Sequence, residues 1–214
     1  MNIEEKRHPY PYPGTAVTDV IHNIPPAIFA NVRLIRSTAV WGESIILIMP
    51  PGTGAVRCSW LRGDSRTMII SDLVVAEDYR CRGIARTLMD GAFKISALSG
   101  SSTMLLSVDP DSFMRRVYLS YGFRPTGERD ENGLDIMTRE TPAFEISPDP
   151  FPCSTYHTVL AVLPKGARII VTTASGKVVA GTYQGTDGMI IAILNNTGRI
   201  DYIDITELRK KFGE

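Results

Sequence analysis

Residues 80–85 read Arg80-Cys-Arg-Gly-Ile-Ala85, and what flanks them decides the fold. Upstream, Met68-Ile-Ile-Ser-Asp-Leu-Val-Val75 is a run of β-branched and apolar residues, the pattern of a buried strand. Downstream, the segment Ala85 to Leu98 carries Ala85, Leu88, Ala92 and Ile95 at helical spacing, and Ser99-Gly100 supplies a stop. A glycine-containing loop therefore joins the end of a strand to the start of a helix. There the first helical turn has backbone N–H groups without intrahelical partners, and the helix dipole presents its positive end. Gly83 has no side chain to obstruct an approach, Ala85 almost none, and Arg80 and Arg82 add positive charge. The expectation is a cradle for a diphosphate. It is not a P-loop, since no Gly-Lys-Ser/Thr follows, and it lacks the leading glycines of a dinucleotide fingerprint.

The stretch resembles the R/Q-x-x-G-x-G/A signature of the GNAT superfamily of acyl-CoA N-acyltransferases. In that family the signature spans the end of the fourth strand and the start of the third helix. The likeness extends outward in order. Leu73 to Ala85 looks like the family's strand, short loop and basic cradle, and Thr103-Met-Leu-Leu-Ser-Val108 like its fifth strand. Asp111 to Phe123 is similar to its fourth helix with the closing Gly122-Phe123 pair, and Leu134-Asp-Ile-Met-Thr-Arg139 to its last strand. About 100 residues, from roughly Ser44 to Arg139, fit. The resemblance implies an α+β fold, a mixed central sheet flanked by helices, and acetyl-CoA as co-substrate.

Moving an acetyl group from a thioester to an amine needs four things: a hold on the pyrophosphate, a donor to the thioester oxygen, a neutral amine, and a proton for the thiolate. By resemblance, the hold falls to the loop Arg80, Cys81, Arg82, Gly83, Ile84 and Ala85, through backbone N–H groups from Arg82 to Ala85 and the Arg80 charge. The donor to the oxygen is a backbone N–H at a bulge near Val74 or Val75. Tyr118 matches the tyrosine of the family's LYEKLGF-like pattern, here Val-Tyr-Leu-Ser-Tyr-Gly-Phe123, and is the candidate acid. A phenol near pKa ~10 can protonate a thiolate whose reference value is ~8.5, slightly uphill, so positioning matters. Asp111 stands where the family often has an Asn contacting the coenzyme. Its other reading is local, with Asp109-Pro110 as helix cap and first turn and Asp111 complementing the dipole.

The deprotonating group stays open between a side chain and a water chain. Asp72 is the candidate, with Ser71 beside it and Glu77 following the strand, while His8, His22 and His157 fall outside the motif. Tyr118 and Tyr121 also read as core tyrosines with satisfied hydroxyls. Cys81 has two arginine neighbours that favour a thiolate, and a structural role is its simpler reading. Arg115-Arg116 reads as a solvated helix face, and Trp41 and Trp60 as strand packing.

The remaining composition bounds the class. The chain has 214 residues, 43% of them hydrophobic, and no apolar run long enough to span a membrane. The start lacks the apolar stretch of a signal peptide. Cys58, Cys81 and Cys153 are an odd number without metal-ligand spacing, so no metal and a reducing cytoplasm are expected. Net charge is zero, with seven Lys/Arg against six Asp/Glu from Pro148 onward and sixteen against seventeen before it. Neither part is a basic nucleic-acid binder.

The expected organisation is an extended arm over 1–14, an acyltransferase domain over 15–141, a proline-rich linker over 142–154, and a small barrel over 155–214. Pro25 to Ile35 reads as a short helix or the approach to a strand, and the acceptor wall looks shortened. After the linker, four strand-like runs follow: Arg168–Thr173, Lys177–Tyr183, Met189–Leu194 and Arg199–Ile205. Ser175-Gly176, Thr186-Asp-Gly188 and Asn195-Asn-Thr-Gly198 separate them as turns. Strands so short bury a core by curling into a barrel. Gly176 to Asp187 resembles the first half of Sm-like and other SH3-like barrels. Asp187 is followed by Gly188, Met189 and Ile190 without the Asn of RNA-binding members, so the likeness stops at fold.

Two functional readings follow. One is an acetyl-CoA-dependent N-acetyltransferase acting on a primary amine, small or peptide, in a ternary complex. The other is a non-catalytic interaction protein on the same scaffold, engaging a protein partner through barrel and shortened acceptor side. Self-association through the barrel is expected in either case, because only alternate side chains of Met189–Leu194 can face its interior.

Overall fold

The computed structural model describes residues 32–39, 42–61, 63–64, 66–147 and 153–208. The 1–14 arm, most of the Pro25–Ile35 segment, Trp41, His8 and His22 lie outside the described residues. Two sheets carry the fold. The first has seven strands in the order β1-β2-β3-β4-β5-β7-β6. They are β1 (Arg33–Ala39), β2 (Gly42–Met49), β3 (Gly54–Leu61), β4 (Thr67–Val75), β5 (Thr103–Val108), β6 (Arg124–Arg129) and β7 (Asp135–Glu140). All neighbours are antiparallel except β4 and β5. That parallel pair is bridged by helix α1 (Ile84–Leu98), as a parallel connection requires.

α1 lies on one face of the sheet because its apolar stripe, Leu88, Met89, Ala92, Ile95 and Leu98, is wholly buried. β3 answers with Val56, Cys58 and Trp60, each buried, at strand periodicity. Gly54 sets the approach. A Cβ there would stand 2.8 Å from Ile84 Cγ2 and 3.0 Å from the Val74 carbonyl oxygen, so only glycine lets the first turn of α1 sit this close to β3 and β4. Trp60 donates its indole N–H to Ser101 Oγ at 2.8 Å, which ties β3 to the loop after α1.

The second helix, α2, is shorter than the sequence suggests. It runs Phe113–Ser120, and Ser112 is its cap, accepting from the Met114 amide at 3.1 Å. The expected Asp109 cap instead accepts the Asp111 amide at 2.9 Å, closing the turn that precedes the helix. Asp111 is exposed and lies outside the helix, in the turn before it.

The C-terminal strands form where expected, as β9 (Arg168–Thr172), β10 (Val178–Asp187), β11 (Ile190–Leu194) and β12 (Ile200–Asp204). They do not close into a barrel. The sheet is open, in the order β12-β11-β10-β9-β8. Its fifth strand, β8 (Phe144–Ile146), comes from inside the expected linker and pairs in parallel with β9 through helix α3 (Cys153–Val162). Pro142 and Pro148 flank β8 rather than interrupt it, and β8 is an edge strand, where proline is tolerated. The second unit also meets the first around α1 and the turn that follows it. Ser96 of α1 and Thr141 share a buried hydroxyl bond of 2.6 Å, and Pro164 Cγ would stand 3.1 Å from a Cβ on Gly100. Tyr183 donates to the Leu160 carbonyl at 2.7 Å and so holds α3 on β10. Among the described residues no helix is long and apolar enough to cross a membrane.

Candidate functional site

The chain after β4 turns sharply. The 3₁₀ turn Glu77–Tyr79 leads into Cys81 at φ 61° and Gly83 at φ 79°, both left-handed. For Cys81 that conformation costs about 1–2 kcal/mol, the kind of local strain that clusters at ligand sites. Gly83 is the N-cap of α1 and makes no side-chain cap bond. The amides of the first turn are left to outside acceptors. A Cβ on Gly83 would meet nothing within 4 Å, so glycine serves the backbone angle and leaves open space above the helix end. Arg80, Cys81 and Arg82 are exposed, and Ile84 and Ala85 half-buried. Arg80 Nε reaches back to the Val75 carbonyl at 3.4 Å, and the Arg82 guanidinium lies 5.2 Å over the Tyr79 ring. The first turn carries no acidic residue.

β4 itself is irregular. Its pairing with β3 slips between Ala55 and Arg57, with Arg57 opposite Ser71 but Ala55 opposite Val74. One extra residue on β4 makes a bulge, and Asp72 adopts φ 52° at that place. The bulge thus lies two residues before Val74, earlier than Val74 or Val75 themselves. On its other side β4 pairs with β5 only through Thr67, Met68 and Ile69. β5 continues along β7 to Val108, so β4 and β5 part after Ile69, and among the described residues the far half of β4 has no strand on that edge. Val74 is 58% exposed there.

Tyr118 lies on α2, 8% exposed, with its ring edge-on to Phe123 at 6.0 Å. Burial raises its pKa, and neighbouring Tyr121 raises it further, so the phenol is protonated across the neutral range. Tyr121 packs edge-on against Phe93 of α1 at 6.0 Å. Its own pKa is raised by burial and by Asp90, against an opposing pull from Arg86. Arg115 donates to Asp135 at 3.0 Å, and the Arg116 guanidinium lies 5.7 Å over the Phe113 ring, so these two arginines serve the helix surface.

Asp72, the candidate base, is exposed on the bulge, and Arg57 Nε lies 3.0 Å from its Oδ2. Sequence reasoning missed Arg57, although its alternation with buried Val56 and Cys58 marks it as facing away from α1. It missed Gly54 as well, whose signal was the Gly52-Thr-Gly54 turn entering β3. His157 falls on α3, in the second unit. No cluster of His, Cys, Asp and Glu able to hold a metal occurs among the described residues.

Two grooves lie away from this place. One of about 590 Å³ runs between the end of α3 and the strands β10 to β12, lined by Lys165, Gln184, Asp187 and Tyr202 among others. The second, about 570 Å³, separates Gly100–Thr103 from Pro164–Arg168 where the two units meet. Neither includes the cradle, the bulge or Tyr118. The candidate site is the open edge of β4 that the departure of β5 creates.

Among solved structures, a GNAT family acetyltransferase from Elizabethkingia anophelis with acetyl-CoA bound is 18% identical, over 51% of this chain and 98% of its own, at a TM-score of 0.42. Nourseothricin acetyltransferase is 17% identical over 52% of this chain and 85% of its own, at 0.40. A GNAT family acetyltransferase from Staphylococcus aureus is 17% identical over 47% and 69%, at 0.37. No curated protein matches the chain. What carries the comparison is the sequence of the first sheet: residues 55–138, from β3 through β7 and including the cradle, the bulge and Tyr118, match the family described as the acetyltransferase (GNAT) domain.

Proposed function

We propose that this chain is an acetyl-CoA-dependent N-acetyltransferase that moves the acetyl group directly to a primary amine in a ternary complex. The observation that carries the reading is one continuous piece of backbone. The strand that bulges at Asp72 and parts from β5 after Ile69 leads straight into the uncapped, left-handed N-terminus of α1. Acetyl-CoA supplies the acetyl group as a thioester.

The amides from Arg82 to Ala85 bind the pyrophosphate at the positive end of α1, with Arg80 as neighbouring charge. The β4 backbone from the bulge to Val75 donates an N–H to the thioester oxygen as negative charge develops there. Asp72 receives the acceptor's ammonium, whose proton leaves to water, and the neutral nitrogen forms the new C–N bond. The nitrogen then sheds its second proton to water, and as the C–S bond breaks Tyr118 gives its proton to the sulfur and recovers one from solvent. Burial that disfavours the phenolate also disfavours a naked thiolate beside it, so the transfer and the bond cleavage go together. Asp111, exposed in the turn before α2, contributes at most a contact to the coenzyme's outer part.

A second reading, a non-catalytic interaction protein, draws on Val178, Ile200 and Tyr202 of the second sheet, which are 60%, 47% and 64% exposed. Self-association through that sheet fits either reading. One experiment separates the two. Acetyl-CoA should raise the melting temperature, and a panel of amines should release free coenzyme A thiol in the presence of the enzyme. Stabilisation without thiol release from any amine favours the interaction protein. Neither effect removes acetyl-CoA from the account.

A further inference from the structure

Each sheet ends in two edge strands, and a bare edge is a template for pairing with another chain. Three of the four edges carry the usual protection. β1 holds Arg33 and Arg36, β6 holds Pro125 and Gly127 within an irregular register, and β8 is three residues long between Pro142 and Pro148. β12 differs. It has no lysine, arginine, proline or glycine, and it presents Ile200 and Tyr202 at 47% and 64% exposure. Its two carboxylates are engaged locally: Asn195 Nδ2 donates to Asp201 at 2.9 Å, and the Thr206 amide and hydroxyl donate to Asp204 at 2.8 and 2.7 Å. The ladder shows which backbone groups face outward. The Ile205 amide donates to the Met189 carbonyl and the Asn195 amide to the Arg199 carbonyl, so odd-numbered residues of β12 bond to β11. The amides and carbonyls of Ile200, Tyr202 and Asp204 therefore point to the free side. Glu207 Oε1 accepts the Asp204 amide at 3.2 Å. Ile200 and Tyr202 remain, each with an amide and a carbonyl that no group among the described residues answers.

We propose that this edge pairs with the same edge of a second copy of the chain, antiparallel, about a twofold axis at Asp201. In that register Ile200 exchanges both backbone bonds with the partner's Tyr202, and Tyr202 with the partner's Ile200. All the unanswered groups on both copies are then used, and the Asp204 amide keeps its Glu207 acceptor. Ile200 and Tyr202 also share a sheet face, so each ring gains an isoleucine beside it. On the other face the two Asp201 residues stand opposite each other, a repulsion worth less than the four bonds. Arg199 offsets it. That residue is exposed, has no side-chain partner among the described residues, and lies on the face of Asp201, two residues before it. It is diagonal to the partner's Asp201, within reach of so long a side chain. The seam thus holds two arginines and two aspartates, self-complementary and without net charge. A register centred on Tyr202 would instead set Ile200 against the partner's Asp204, whose amide is taken. One strand pair is a small interface, so the dimer forms as concentration rises and joins two five-stranded sheets into one. Nothing in the pairing depends on acetyl transfer.

Light scattering of the full chain at rising concentration tests the pairing, and the mass should climb from that of one chain toward that of two. Tyr202→Pro removes an amide that β11 does not use, at an edge where proline is tolerated, and should weaken association about 100-fold. Arg199→Glu should weaken it about tenfold, and adding Asp201→Arg should restore it. Cysteines read the register, in a chain carrying Cys81→Ser and Cys153→Ser and oxidised with copper phenanthroline; Cys58 is wholly buried. Facing residues at position 201 have Cα atoms about 4.5 Å apart, so Asp201→Cys should give a disulfide-linked dimer. Tyr202→Cys should not, because its counterpart stands about 9 Å away, beyond the span of a disulfide. If Tyr202→Pro does not fold, the charge reversal and its rescue decide. A chain still monomeric at about 1 mM, an association indifferent to Tyr202→Pro and Arg199→Glu, or cross-linking at Tyr202→Cys and not at Asp201→Cys overturns the proposal.

Discussion

Gly83 can be replaced in a way that separates backbone strain from loss of a ligand site. Its φ of 79° and ψ of 0° put an L-residue in the left-handed region, at about 1–2 kcal/mol. A Cβ there meets nothing within 4 Å, so sterics add nothing to that cost. At about 2–4 °C per kcal/mol for a chain of this size, Gly83→Ala and Gly83→Glu should each lower the ligand-free melting temperature by about 2–8 °C. Acetyl-CoA at a hundredfold excess over its dissociation constant stabilises by about 2.7 kcal/mol, or about 5–11 °C on the same scale. Wild type and Gly83→Ala should both show that rise. Gly83→Glu should not, because its carboxylate occupies the space above the first-turn amides that a pyrophosphate must share. Differential scanning fluorimetry with and without acetyl-CoA measures all six states. A rise in Gly83→Glu equal to the wild-type rise would refute the cradle.

Tyr118→Phe keeps the edge-on packing against Phe123 and removes the donor, so turnover should fall about 10²–10⁴-fold with coenzyme affinity unchanged; near-full steady-state activity in the folded variant would end the assignment. Cys58 is wholly buried, and burial pushes its thiol pKa from 9.0 up to about 12. As pH rises the unfolded chain loses this proton first, so stability is full below about pH 9 and declines from there toward pH 12, by about 1.4 kcal/mol at pH 10. Urea midpoints at pH 8 and 10 should therefore differ less in Cys58→Ala than in the wild type, and an identical difference contradicts the buried-thiol argument. A chain ending at Ser147 strips β8 of its partner β9 and leaves Phe144 and Ile146 without their cover from that side, worth up to about 3 kcal/mol each. It should melt lower, change oligomeric state in light scattering and still be stabilised by acetyl-CoA; losing that response while folded makes the second sheet part of the coenzyme site.

Elements whose side chains alternate or repeat against one core were legible from residue pattern. β4, α1, β5 and the four C-terminal strands fall within one or two residues of expectation, with β10 running four residues further at its C-terminal end, because burial imposes period 2 or 3.6 on each. β6 was not legible, since all its residues are exposed and it holds Pro125 and Gly127; only its pairing with β7 makes it a strand. β8 was hidden for the opposite reason. Its three residues alternate buried, exposed, buried, but they sit among prolines whose density suggests a connector. The open second sheet follows from that miss. Once β8 joins β9 in parallel, β9 no longer offers the edge on which β12 could close a barrel.

The site divides along the same line. The cradle is local in sequence: strand, loop and helix start occupy consecutive residues, and Gly83 announces its left-handed angle by being glycine. The bulge is non-local. It exists only in the register between β3 and β4, and its left-handed residue is an aspartate, a type that tolerates that region without marking it. Placing it needs to be known that Arg57 stands opposite Ser71 while Ala55 stands opposite Val74, which no run of β4 residues reveals. The departure of β4 from β5 is equally a matter of which strand follows β5 to Val108, and that strand is β7, some thirty residues on. Groups that act through backbone N–H place few demands on side-chain identity, so the sequence around them is free to vary. The ion pair across the bulge is the exception. Arg57 and Asp72 meet there with Nε 3.0 Å from Oδ2, and so mark, in side chains, the place that the backbone alone would have left unsigned.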